Sequence, residues 1–279
     1  MVLTDTHCHL DFRKFDPDRA EMLLRAREAG VQRMLIPATS LASSSTVVQL
    51  AGSHPGLFCA VGVHPTEAGA WTTGTAAALQ ALMLSARSHE PGQRQVLVAV
   101  GEIGLDYYWD AAEHDQQQAV LVEQLALAAE TGLPVILHMR EKGDAQDGPC
   151  AGALLAILAE WVTHLRGAGN PLADRPGVLH SFSGSAHTAQ QALGLGFYLG
   201  VTGPVTYRRE RQELIAGLPL GSLLLETDAP FLSPHPWRGK RNEPAYVSLI
   251  ADKIAMLQST SPAQVAAVTG ENARRLFVW

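Results

Sequence analysis

Short apolar runs alternate with longer helical patterns from one end of this chain to the other, and a His or a carboxylate stands at the end of most runs. The runs fall at residues 2–6, 31–36, 57–62, 96–101, 134–138, 177–180, 195–200 and 222–227. Strands this apolar belong to a parallel sheet that helices cover on both sides. Helical patterns fall between them at 18–29, 42–52, 75–88, 112–131, 152–166, 186–193 and 208–216, and 244–258 and 262–275 add two terminal helices. About eight strand–helix units in this order predict an α/β fold, a TIM or (β/α)8 barrel. In such a barrel the C-terminal strand ends meet on one face, where active sites form.

Local signals set several boundaries. Asp16-Pro17 reads as a cap followed by Pro at the first helical position, and Gly30 as the left-handed end of that helix. Gly132 stops the 112–131 segment, and Ser261-Pro262 starts the last helix. Residues 141–152 and 167–176 are rich in Gly, Pro and Asp and read as irregular loops. The first belongs to the strand-end face and the second to the opposite one.

A chain of 279 residues can bury one large core, so residues 1–279 are expected to form a single domain. The three cysteines, Cys8, Cys59 and Cys150, include no CxxC pair, which excludes a thiolate metal cluster and suits a reducing cytoplasm. No secretory signal and no apolar run long enough to span a bilayer is read, so a cytoplasmic enzyme without membrane contact is expected. The net charge of −6 argues against a surface that coats nucleic acid, but carboxylates that hold cations are counted in it without them. Basic residues cluster at Arg208, Arg209 and Arg211, and again at Arg238, Lys240 and Arg241. The second cluster follows a candidate ligand closely and reads as a phosphate contact. Nothing in the sequence sets an oligomeric state.

The strand ends carry the candidate chemistry. His7 and His9 are two apart, so on extended backbone both imidazoles share a face and can hold one ion, while Cys8 points away. Glu102 follows the fourth run; its two oxygens can bridge a pair of cations. His138 and His180 offer imidazoles to a second ion, and Asp228 offers ligation and proton handling. Asp106, read as lying on a loop, is expected to orient a histidine, and Glu226 to work behind the ligands or on a substrate. His64 reads as a substrate contact and Arg140 as a partner for a carboxylate or phosphate; Tyr107 and Tyr108 either line the cleft or pack. Gly184 and Ser185 make a weak candidate for an anion-binding turn.

The ordered segments THCHLD, VGVHP, VGEIGLDYY, VILHMR, VLHSFSGS, GFYLGVTGPVTY, LLETDAPFL and RGKRNEP resemble the TatD family of metal-dependent deoxyribonucleases, within the amidohydrolase-like barrels. The resemblance runs across nearly the whole chain. It implies hydrolysis of DNA phosphodiesters, as a 3'-5' exonuclease on single-stranded DNA, with two divalent metal ions as cofactors. Mg or Mn would support activity, and Zn is compatible with the donors. His7, His9 and Asp228 match one metal site, His138 and His180 the second, and Glu102 the carboxylate associated with both. Residues 141–152 and 167–176 lengthen the interval between His138 and His180 beyond the family pattern, and the stretch before the fourth run is also longer. The competing reading is a metal-dependent hydrolase of a small phosphate ester, lactone or amide, since the same centre activates water for each.

Overall fold

In a computed structural model, residues 1–87, 94–109 and 111–279 are described. Eight parallel strands run in sequence order around the sheet: β1 (Leu3–Asp5), β2 (Val31–Pro37), β3 (Leu57–Val61), β4 (Leu97–Asp106), β5 (Val135–Arg140), β6 (Gly177–Leu179), β7 (Tyr198–Val201) and β8 (Leu223–Leu225). The ring closes where the Thr6 amide donates to the Leu225 carbonyl at 2.9 Å and Cys8 bridges Ala229 in parallel. The helices that separate the strands are α1 (Arg19–Glu28), α2 (Leu41–Ser53), α3 (Thr73–Arg87), α4 (His114–Thr131), α5 (Pro149–Gly167), α6 (Ala186–Gly194) and α7 (Arg209–Gly217). Two further helices, α8 (Val247–Leu257) and α9 (Pro262–Phe277), follow β8. The fold is thus the expected (β/α)8 barrel.

Strand residues face two cores, as a parallel barrel demands. Leu3, Met34, Ile36, Cys59, Val61 and Leu137 pack outward against the helices. Leu35, Phe58, Val98, Ile136, Val178 and Leu224 form a second cluster with Ala273, Leu276 and Phe277 of α9. The amide of Asn272 on α9 donates to the carbonyls of Leu220 and Leu223, where β8 begins, so this helix covers the N-terminal end of the barrel. The C-terminal strand ends stay open. Among the described residues no helix is long and apolar enough to cross a membrane.

Several boundaries follow their local signals. Ser40 and Ser43 make a reciprocal capping box on α2. Ser261 caps α9 with Pro262 behind it, and Gly132 ends α4 in the left-handed region. Others differ from expectation. Helix α1 starts after Asp18, not after Asp16, and that carboxylate does not cap it because Arg25 and Arg241 hold it. Strand β4 runs on to Asp106, so Asp106 lies on a strand end and not on a loop. Its register partner there is Arg140, because β5 also continues past His138. The last residues of 141–152 belong to α5, and 3-10 turns at Lys142–Asp144 and Pro171–Asp174 order parts of both segments expected to be irregular. The region 244–258 divides into a 3-10 turn at Pro244–Tyr246 and α8. Residues 88–93, within the lengthened stretch before β4, and Asp110 lie outside the described residues.

Candidate metal centre and its cleft

The seam that closes the barrel also assembles the first ligand cluster. The His9 amide donates to the Ala229 carbonyl at 2.7 Å and the Asp228 amide to the His7 carbonyl at 2.9 Å, which lays the end of β1 along the end of β8. Asp5, buried, accepts from the backbone and hydroxyl of Thr227 and locks the same seam from behind. Asp228 adopts a φ of 55° there. Cys8, between the histidines, points its thiol at the Leu35 carbonyl, away from the cluster.

The side chains converge closely. His7 Nε2 lies 3.2 Å from His9 Nε2, 3.3 Å from Glu102 Oε2 and 3.8 Å from Asp228 Oδ1. His9 Nε2 is 3.6 Å from Glu102 Oε2 and 3.5 Å from Asp228 Oδ1. The other oxygen of Glu102 faces a second group: His138 Nδ1 at 2.9 Å, His64 Nε2 at 3.7 Å and His180 Nε2 at 4.0 Å. His180 stacks on His7 with ring centroids 3.3 Å apart, so it stands between the two groups. Ligand atoms of His7, His9 and Asp228 lie within 4.8 Å of one another, as do those of His64, Glu102 and His138, and those of His7, Glu102 and His180. His64 therefore stands as near to Glu102 as His180 does, and it also lines the cleft.

Behind this layer, carboxylates fix the rings. Glu226 Oε2 meets His180 Nδ1 at 2.9 Å and accepts from the Ser181 amide, leaving His180 Nε2 turned to the centre. Asp106 Oδ2 meets His138 Nε2 at 2.8 Å. Two glycines make room. A Cβ at Gly200 would lie 2.0 Å from Glu226 Oε2, and one at Gly104, where φ is 140°, 2.1 Å from the His138 carbonyl. Gly104 thereby lets β4 come close to β5 just where both deliver their side chains.

The electrostatics follow from this packing. Burial opposes charge on Glu102, but His7 and the bond to His138 outweigh it and hold the carboxyl well below its ordinary range. Burial likewise opposes charge on Asp228 and is outweighed by the bond to His9 and by the charge of His180. His138 would lose basicity on burial, yet Asp106 and Glu102 push it up to about 9. His180 is pushed up to about 9 against burial by Glu226. His64 falls to about 3 through burial and the neighbouring His138.

The donors fit divalent cations. The Nε2 atoms of His7 and His9 crowd one spot with an oxygen each of Glu102 and Asp228, while the Nδ1 of both rings is buried without a hydrogen-bond partner. Ligands on bonds of about 2.0–2.1 Å in a tetrahedral shell stand roughly 3.3 Å apart, which is the spacing seen around His7. Buried imidazole and carboxylate donors that are not otherwise used are a metal-binding set.

The centre forms the floor of a cleft of about 690 Å3. Phe12 and Phe231 line it near His9, their centroids 5.8 Å apart, and Trp109 lines it near Arg140. The Arg140 guanidinium lies 3.7 Å from the Tyr108 ring centroid, and its Nε donates to Asp144 at 3.0 Å. Arg208 and Arg211 also line the cleft, whereas Arg238, Lys240 and Arg241 do not. Arg241 donates twice to Asp18. Arg238 lies over the ring of Tyr207, a cleft residue, at 4.2 Å, and Lys240 over Trp237 at 5.0 Å. Of the two basic clusters, the one passed over in the sequence is thus the one that faces the cleft. Ser185 caps α6 and donates to Asp147, so its hydroxyl is engaged in holding that loop.

A family model described as "TatD related DNase" matches residues 4–278. The chain belongs to this family. It is a metal-dependent hydrolase of the TatD and amidohydrolase type. It is 36% identical over 278 residues to the uncharacterized metal-dependent hydrolase YabD of Bacillus subtilis, covering 99% of both chains. To the 3'-5' ssDNA/RNA exonuclease TatD of Cronobacter sakazakii it is 38% identical over 282 residues, covering 98% of this chain and 97% of the other. Among solved structures, the TatD homologue YjjV of Escherichia coli superposes with a TM-score of 0.82 at 34% identity, covering 99% of this chain and 98% of that one.

Proposed function

We propose that this TatD-family hydrolase is a 3'-5' exonuclease on single-stranded nucleic acid, DNA foremost, using two divalent cations at the barrel mouth. The observation that carries the reading is Glu102, a buried carboxylate whose two oxygens face separate clusters of imidazole donors. The name of the Cronobacter relative supports the substrate class and admits RNA beside DNA. The cleft supports it too. Aromatic faces at Phe12, Phe231 and Trp109 offer stacking for unpaired bases, and arginines offer contacts to the backbone.

His7, His9 and Asp228 would hold one cation, His138 and His180 the other, with Glu102 between them. His64 is the further imidazole beside the second group. Bound cations supply Lewis acidity that lowers the pKa of water and offsets phosphoryl charge; Mg or Mn suits this use, and Zn suits the donors. The chain's own residues do the rest. Glu226 and Asp106 keep the rings of His180 and His138 oriented. Asp228, ionised at the edge of the cleft, accepts the proton of the attacking water on its carboxylate. Arg140, its guanidinium over the Tyr108 ring, holds a substrate phosphate in place. Cleavage leaves a 3'-hydroxyl on the shortened strand and a 5'-phosphate on the released nucleotide. Three free, buried cysteines accord with a cytoplasmic setting.

The test is a substrate panel on metal-loaded enzyme: single-stranded DNA, single-stranded RNA, duplex DNA, bis(4-nitrophenyl) phosphate and a simple lactone. The reading expects the highest kcat/KM on single strands. A preference for the lactone or the small ester, with no strand shortening, overturns it.

A further inference from the structure

Arg211, on the first turn of α7, lines the cleft, and its Nη1 is buried without any hydrogen-bond partner. Among the described residues no other Arg or Lys side chain carries a nitrogen in that condition. The carboxylates whose charges bear on it are Glu210 and Asp144, at the rim, and not those of the metal centre. Both are engaged elsewhere: Glu210 with Arg208 at 3.5 Å and Asp144 with Arg140 at 3.0 Å. Burial pulls the Arg211 pKa down, so the folded protein bears a cost for a cation it does not neutralise internally. A guanidinium left unpaired in a cleft wall is matched by an oxyanion that arrives with a ligand.

We propose that Arg211 is the anchor of a second phosphate subsite, which grips a backbone phosphodiester of the substrate strand other than the one being cleaved. Arg208, also in the cleft lining, adds charge, and the pair formed by Arg140 and Asp144 lines the cleft as well. Asp144 comes from the 141–152 segment that lengthens this chain beside His138, so that segment places a carboxylate next to the subsite and tempers its affinity for phosphate. The subsite makes the enzyme sensitive to strand length, since a dinucleotide has no second phosphodiester to offer. This inference rests on the nuclease reading above.

Its test compares the wild type with Arg211→Gln, Arg211→Lys and, as control, Arg209→Gln, whose guanidinium is solvent-exposed and pairs with Glu213. Two quantities are read: the ratio of kcat/KM for a tetranucleotide to that for a dinucleotide, and the salt dependence of oligonucleotide binding to metal-stripped protein by fluorescence anisotropy. Arg211→Gln is expected to lower the ratio about ten-fold, the scale of a lost charged hydrogen bond. It should also flatten the slope of log K against log salt by about 0.7, one phosphate contact on a single strand. Arg211→Lys should retain the slope, and Arg209→Gln should leave both quantities as in the wild type. If oligonucleotides are cleaved but Arg211→Gln keeps the wild-type ratio and slope, the subsite is overturned while the nuclease reading stands. If no oligonucleotide is cleaved while bis(4-nitrophenyl) phosphate is, the nuclease reading falls and the subsite with it.

Discussion

Two histidines of the centre, His138 and His180, are held by particular carboxylate oxygens, and the consequences of removing one differ by residue. His138 touches Glu102 through Nδ1 and Asp106 through Nε2, contacts that only a doubly protonated ring donates together. Replacing Asp106 by Asn removes the acceptor that orients this ring, and metal affinity is expected to fall about 10–100-fold. Competition with a chelator measures it, and an unchanged affinity would contradict the role given to Asp106. Asp228→Asn keeps the size of the side chain but removes a proton acceptor, so kcat should fall about 10²–10⁴-fold. Titrating activity against metal concentration separates that loss from weakened binding, because a purely metal-binding defect recovers at saturation. Much of this layer was legible in the sequence, because a His or carboxylate at a strand end has few structural uses. His64 was harder to read. It follows β3 in a GVHP turn, and only the folded barrel brings its Nε2 within 3.7 Å of Glu102. Arg211 shows in the sequence only as one member of a basic cluster, since burial of one guanidinium nitrogen depends on neighbours distant in sequence.

At the scale of elements, the geometry depends on how closely neighbouring strands approach. Gly200 on β7 leaves the space that the Glu226 carboxylate fills beyond β8. Gly200→Ala should force that carboxylate aside, cost about 1–3 kcal/mol by overpacking, and release His180 from its partner. Denaturant unfolding of the metal-free protein, with metal affinity measured in parallel, tests both effects; a variant equal to the wild type in each would show that the wall yields without consequence. Element identity was easily read from apolar runs and caps, whereas ends were not. Strand β4 outruns its apolar segment because β5 supplies hydrogen-bond partners as far as Arg140, so Asp106 joins the sheet despite its polarity. Helix α1 starts late because the Asp18 carboxylate, the nearest cap, is drawn into pairing with Arg25 and Arg241. Long-range pairing overrode local preference in both places.

For the whole molecule, protons and metal compete for one buried cluster. In the metal-free protein His138 and His180 are pushed from 6.5 up to about 9. A group whose folded pKa is raised contributes stability in full below its unfolded pKa, and that contribution is lost as pH climbs through the folded value. The metal-free protein should therefore lose stability between pH 6.5 and about 9 from these two groups. Cations must displace the same protons, so binding should tighten across that window. The rise in Tm on adding Mn should grow with pH from 6.5 to 9, and a rise independent of pH would contradict the linkage. The net charge of −6 also reads differently once folded, since the carboxylates of the centre lie at the floor while Arg140, Arg208 and Arg211 line the cleft. Charge arithmetic on the sequence cannot separate those layers.

Metal-dependent shortening of single strands from the 3' end, at the centre built around Glu102, can be followed on end-labelled DNA. Short single-stranded DNA labelled at the 5' end, and the same strand labelled at the 3' end, should be followed with metal-stripped enzyme as Mg or Mn is restored, with His138→Ala and Asp228→Ala alongside. The expected result is a descending ladder from the 5'-labelled strand and immediate release of label as mononucleotide from the 3'-labelled one, restored by metal and lost in both variants. Intact strands with folded, metal-loaded enzyme, or a ladder that advances from the 5' end, would contradict it.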